Sequence, residues 1–133
     1  MIRHSDLPLL RPTDDGFTRV RDLVGRAIVD RRLWLMFVDG DGRQSPVLIP
    51  IDDLPFAPEP PLMNGLEHVL GGLRDQLATE RDGSVMLTLE RRGPDEVLAA
   101  DVVWAVALRS ACRGAGVDVR GMFLSTPGGV RRM

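Results

Sequence analysis

Apolar residues recur along this chain with two different periods, and the switches between them divide it into elements. Phe17, Val20, Val24, Ala27 and Ile28 fall at helical spacing behind Thr13, which can cap, and behind Asp14 and Asp15, which complement the positive end of a helix. The spacing predicts a first helix from Thr13 to about Asp30. Leu33 to Val38 and Val47 to Ile51 are near-continuous apolar runs separated by Asp39-Gly40-Asp41-Gly42, the composition of a hairpin. Both runs are apolar on both faces, so the sheet they form is expected to carry helices on each side.

Pro55, Pro58, Pro60 and Pro61 read as a stiff linker, after which Leu62, Leu66, Val69, Leu70, Leu73 and Leu77 give a second helix. Gly71 and Gly72 inside it suggest a close helix-to-sheet contact that exploits the missing side chain. Ser84 to Glu90 alternates, with Val85, Leu87 and Leu89 on one face and Met86, Thr88 and Glu90 on the other, which is a strand. Pro94 and Asp95 open a third helix lined by Leu98, Val102, Ala105, Leu108, Ala111, Cys112 and Ala115 and ended by Gly116. Val119 to Ser125 is a fourth strand, Thr126-Pro127-Gly128-Gly129 a turn, and Val130 to Met133 a short fifth strand. The expected architecture is α/β: a single three-layer domain over residues 13–133, with a mixed sheet of four or five strands in the order α-β-β-α-β-α-β-β, behind an irregular leader over residues 1–12.

Composition narrows the classes. A chain of 133 residues supports one core rather than two, and 44% hydrophobic with 27% charged residues excludes a wholly disordered or collagen-like chain. Seventeen basic residues, all Arg, against 19 acidic ones leave a net charge of −2, so no global field draws in nucleic acid or an anionic membrane. No apolar run is long enough to span a membrane, and Met1 to Leu10 lacks the apolar stretch of a secretory signal; the expected compartment is the cytoplasm. Cys112 is the only cysteine, so no intramolecular disulfide can form, and its apolar neighbours mark it as a buried small residue.

Candidate chemistry is sparse. The Asp39–Gly42 tract lacks the later ligands of a calcium loop, and two histidines, His4 and His68, cannot supply a multi-histidine zinc site. Glu67-His68 sits beside the apolar stripe of the second helix and reads as a solvated helix face. No nucleophile elbow, dinucleotide turn or phosphate loop is present in the sequence. Three arginine pairs, Arg31-Arg32, Arg91-Arg92 and Arg131-Arg132, lie at strand edges; two of them meeting at one rim would offer guanidinium forks to a phosphate or carboxylate.

From Leu33 to Met133 the element order resembles the JAB/MPN domain, a metalloprotease-type fold also found in bacterial RadC proteins. That family places His-x-His-Pro-x-Gly at a strand end and Ser-x-x-Asp where the next helix begins; the histidines and aspartate hold zinc, and an upstream glutamate activates water. Here the corresponding stretches are Thr88-Leu89-Glu90-Arg91-Arg92-Gly93 and Leu98-Ala99-Ala100-Asp101. Gly93 and Asp101 match in identity and separation, whereas Thr88 and Glu90 replace the histidines, Arg91 the proline and Leu98 the serine. The resemblance therefore implies the frame of such a domain with a degenerate metal site: no zinc, no cofactor and no catalytic residue.

The expected function is a non-catalytic protein-binding or assembly module. Thr88, Glu90, Arg91, Arg92 and Asp101 would line a vestigial pocket, and Glu90 or Asp101 would pair with Arg91 or Arg92 across it. The expected partner is another protein or a second copy of the chain, joined through the last strand or the first helix, and not a membrane or nucleic acid. Two alternatives carry their own residues. One is a metal-dependent hydrolase with a carboxylate-rich site built from Glu90 and Asp101 with Glu67 or His68, holding magnesium or manganese. The other is an anion-binding regulator that uses the arginine pairs.

Overall fold

A computed structural model describes residues 14–38, 44–77 and 84–133. The elements are α1 (Asp14–Leu23), β1 (Arg32–Val38), β2 (Gln44–Ile51), α2 (Pro60–Leu77), β3 (Ser84–Glu90), α3 (Ala99–Ala115), β4 (Asp118–Thr126) and β5 (Gly129–Arg132). They form a single α/β domain around one mixed sheet of strand order β2-β1-β3-β4-β5. Strand β1 is antiparallel to both β2 and β3, β3 runs parallel to β4, and β5 folds back antiparallel on β4. The parallel step from β3 to β4 is spanned by α3, as a crossover between parallel strands requires.

Strand alternation builds two cores. Leu33, Leu35, Phe37, Val85, Leu87, Leu89, Met122 and Leu124 point to one face and pack with Leu66 and Leu70 of α2 and Trp104, Leu108, Ala111 and Cys112 of α3. Met36, Val38, Met86 and Phe123 point to the other, where Val20 of α1 closes a smaller core. The sheet is thus covered on both sides, as its two-faced apolar strands demand. A bulge at Arg120, between the Val85–Val119 and Met86–Gly121 pairs, puts Met122 and Leu124 beside Leu87 and Leu89 on the larger core.

Several boundaries differ from the sequence expectation. Helix α1 stops at Leu23 because Gly25 turns left-handed (φ 69°) and the amides of Ala27, Ile28 and Val29 bond to sheet residues instead of to a helix. Helix α2 starts at Pro60, so two of the linker prolines lie in its first turn, where a missing N–H costs nothing. The edge strand β2 begins at Gln44 and tolerates Pro46 and Pro50 within it. Helix α3 begins only at Ala99, and Gly116 ends it in the left-handed conformation (φ 71°) while Arg74 of α2 donates to the Ala115 carbonyl at 3.0 Å. The leader, the Thr13 cap and the Asp39–Gly42 turn lie outside the described residues.

Two packing expectations are corrected. A Cβ on Gly71 or Gly72 would meet nothing within 4 Å, so neither glycine makes a close contact; within the helices the tight glycine is Gly114 of α3, against the Glu67 carboxylate. On α3, Val102 is 52% exposed and Leu98 37%, while Asp101 and Trp104 turn inward. No helix among the described residues is long and apolar enough to cross a membrane.

Leu108 is fully buried where α3 meets the sheet. Leu108→Ala is expected to lower unfolding free energy by about 2–5 kcal/mol, read from the midpoint of a urea titration.

Candidate functional site

At one end of the sheet the chain leaves β3 through Glu90-Arg91-Arg92, and strand alternation sends neighbouring side chains to opposite faces. Arg91 turns toward α3. Its Nε donates to Asp101 Oδ1 at 2.8 Å and its Nη2 to Asp101 Oδ2 at 2.7 Å, a bidentate pair buried between strand end and helix start. Its remaining N–H groups reach the carbonyls of Arg92, Pro94 and Glu96, so all five donors are used. Asp101 also accepts the Leu98 amide at 2.8 Å, which supplies the cap that a leucine N-cap cannot. The loop over residues 92–98 is therefore wrapped around one guanidinium.

Burial pushes the Asp101 carboxyl up, but the hydrogen bonds from Arg91 and the Leu98 amide outweigh it, leaving it below the usual carboxylate range. The hydrogen bonds to Asp101, with its charge, hold the Arg91 guanidinium protonated more firmly than an exposed arginine.

Glu90 turns the other way. Oε2 accepts the amides of Ile28 (2.8 Å) and Val29 (3.1 Å), Oε1 accepts Trp34 Nε1 (2.8 Å), and Arg32 Nη1 stands 4.0 Å from Oε1. A buried carboxylate is tolerable only when so supplied with donors. It ties the segment after α1 to the sheet, in company with the Ser125 hydroxyl, which donates to the Gly25 carbonyl. Thr88 lies on the same face, paired in register with Trp34 and Phe123.

The structure thus brings together Arg91 with Asp101, as the sequence suggested, and separates Thr88 and Glu90 from Asp101 by the thickness of the sheet. One pocket shared by these residues does not exist. Arg92 is exposed, and its backbone amide rather than its side chain makes a contact, to Asp30. Two of the three arginine pairs do reach one rim, since Arg32 pairs in register with Glu90, but three of the four guanidinium groups are engaged separately: Arg32 pairs with Asp52 and lies over Trp34, Arg31 stacks on Phe56 at 4.7 Å, and Arg91 is enclosed. Arg131 and Arg132 sit on the edge strand, with Arg132 over Phe17.

Glu67 and His68 line a groove of about 590 Å³ between α2 and α3, together with Asn64, Asp75 and Gly114. Neither joins Glu90 or Asp101, and among the described residues no three His, Cys, Asp or Glu side chains come together to hold a metal ion. Cys112 is buried in the larger core, which pushes its thiol up to about 11 and leaves it protonated at neutral pH. Trp34 and the amides of Ile28 and Val29 were not legible as partners of Glu90; no local sequence signal marks a bond across some sixty residues. No protein-family model, curated protein or solved structure matches this chain.

Asp101→Asn leaves the Arg91 charge buried without its counter-ion and is expected to cost about 3–5 kcal/mol. Because the folded-state pKa of Asp101 is depressed, its stabilisation is complete above the unfolded value of about 4 and is lost as pH falls through the lower folded value. Urea titrations at descending pH should show the native chain losing stability in the acid range more steeply than the Asn variant.

Proposed function

We propose that this chain is a non-catalytic protein-binding domain. Three of the candidate site residues are committed to internal bonds: Arg91 and Asp101 to each other and to loop carbonyls and amides, Glu90 to the segment after α1. The observation that carries the reading is an apolar surface on α3. Val102, Val103 and Val106 are 52%, 52% and 64% exposed on the side of the helix away from the core, where a solvated helix ordinarily carries polar residues. Such a patch on a helix held rigidly at both ends suits contact with another protein.

The resemblance to JAB/MPN domains contributes an element order to this reading and none of that family's chemistry. A carboxylate-rich hydrolase site would need Glu90 and Asp101 on one cavity, and they face opposite sides of the sheet. An anion site built from arginine pairs would need guanidinium groups that converge, and Arg32 and Arg91 are engaged separately.

A photo-crosslinking residue placed at position 106 of the chain in its native cell is expected to give discrete covalent adducts that the same residue at exposed position 118 does not. Absence of adducts from position 106 contradicts the proposal. Zinc, magnesium and manganese are expected to leave the thermal midpoint unmoved; a metal-dependent rise accompanied by peptide or isopeptide hydrolysis would replace it with the hydrolase reading.

A further inference from the structure

We propose that the partner of the α3 surface is a second copy of this chain, docked antiparallel along α3; this rests on the protein-binding reading above and specifies its partner. Ala99, Val103, Val106 and Ser110 recur at steps of four, three and four residues and are all exposed. At 3.6 residues per turn they form one narrow seam, centred about 150° around the helix from the buried side defined by Trp104, Leu108 and Ala115, with Ser110 at the edge of a groove beside α2. The seam matches its own reverse. With a two-fold axis between Trp104 and Ala105, Val103 faces Val106 of the second copy, Ala99 faces its Ser110, and each pairing occurs twice.

Charge follows the same symmetry. Glu96, exposed in the loop ahead of the helix, and Arg113, exposed in its last turn, stand at opposite ends of the seam and carry opposite signs. Among the described residues neither is drawn into an ion pair within the chain. An antiparallel pair therefore brings the Glu96 end of each helix to the Arg113 end of the other, whereas a parallel pair would bring like charge to like. It also opposes the two helix dipoles favourably. Small residues at the ends of the seam and valines at its centre let the two helices approach closely without a side chain in the way. The β5 edge and α1, the other surfaces considered for self-association, contribute nothing to this contact: α1 already buries Val20 against the sheet.

Sedimentation of the full chain from micromolar to submillimolar concentration is expected to show a monomer–dimer equilibrium. Val103→Asp should weaken it about tenfold or more, since the substitution enters the interface twice, and at concentrations where both chains are monomeric should leave the thermal midpoint near that of the native chain because the position is exposed. Glu96→Arg should weaken association, and Glu96→Arg combined with Arg113→Glu should restore it, which a merely apolar attraction would not do. A chain that stays monomeric throughout, or a dimer indifferent to Val103→Asp, overturns the proposal. In that event, adducts from position 106 to a different protein leave the protein-binding reading standing, and absence of adducts removes it as well.

Discussion

The bidentate bond between Arg91 and Asp101 fixes the relation between the sheet and α3, and most of what is distinctive in the molecule depends on it. One guanidinium joins the end of β3 to the first turn of α3 and closes the intervening loop by taking three of its carbonyls. Asp101 returns the Leu98 amide to the same network. Charges this deeply buried are stable only when the geometry satisfies nearly every donor and acceptor, and here it does. The consequence is mechanical: α3 starts at a defined residue and in a defined rotation, so that Trp104 and Leu108 enter the core and Val103 and Val106 are left outside.

Glu90 performs the corresponding task on the opposite face. By accepting two backbone amides from the segment after α1 and the Trp34 indole, it anchors a stretch with no helix or strand of its own. Adjacent residues at the end of β3, Glu90 its last and Arg91 the next, thereby hold the outer layers to the sheet from its two sides. Alternation of side chains, the property that defines a strand, is also what prevents Glu90 and Asp101 from sharing a cavity. Spacing within the Thr88–Asp101 stretch alone does not say which face of the sheet a residue takes.

Period and turn chemistry made the element order readable: the alternation of β3, the two-faced apolar strands and the terminating Gly116 all appear where the residues place them. The Arg91–Asp101 bond was foreseeable too, as opposite charges flanking one loop. On α3 the buried stripe was legible from Leu108 to Ala115 but not in the first turns, where Asp101 and Trp104 rather than Leu98 and Val102 turn inward. A charged residue on the core side of a helix contradicts ordinary amphipathic patterning. The early end of α1 was hidden for a related reason. Its apolar spacing continues through Ile28, while the left-handed turn at Gly25 and distant acceptors, the Thr126 carbonyl and the Glu90 carboxylate, take those amides out of the helix. Val69 of α2, 45% exposed, is a further apolar position whose burial the period overstated.

The arrangement links stability to display: the Arg91–Asp101 bond at the strand end is the one that holds the apolar face of α3 toward solvent. The most direct test is a double-mutant cycle over Arg91→Met and Asp101→Leu, with unfolding free energies from urea titration. The account predicts a coupling of about 2 kcal/mol or more, with the double variant less destabilised than the two single variants together imply. Additive effects, with no coupling between the two positions, would contradict it.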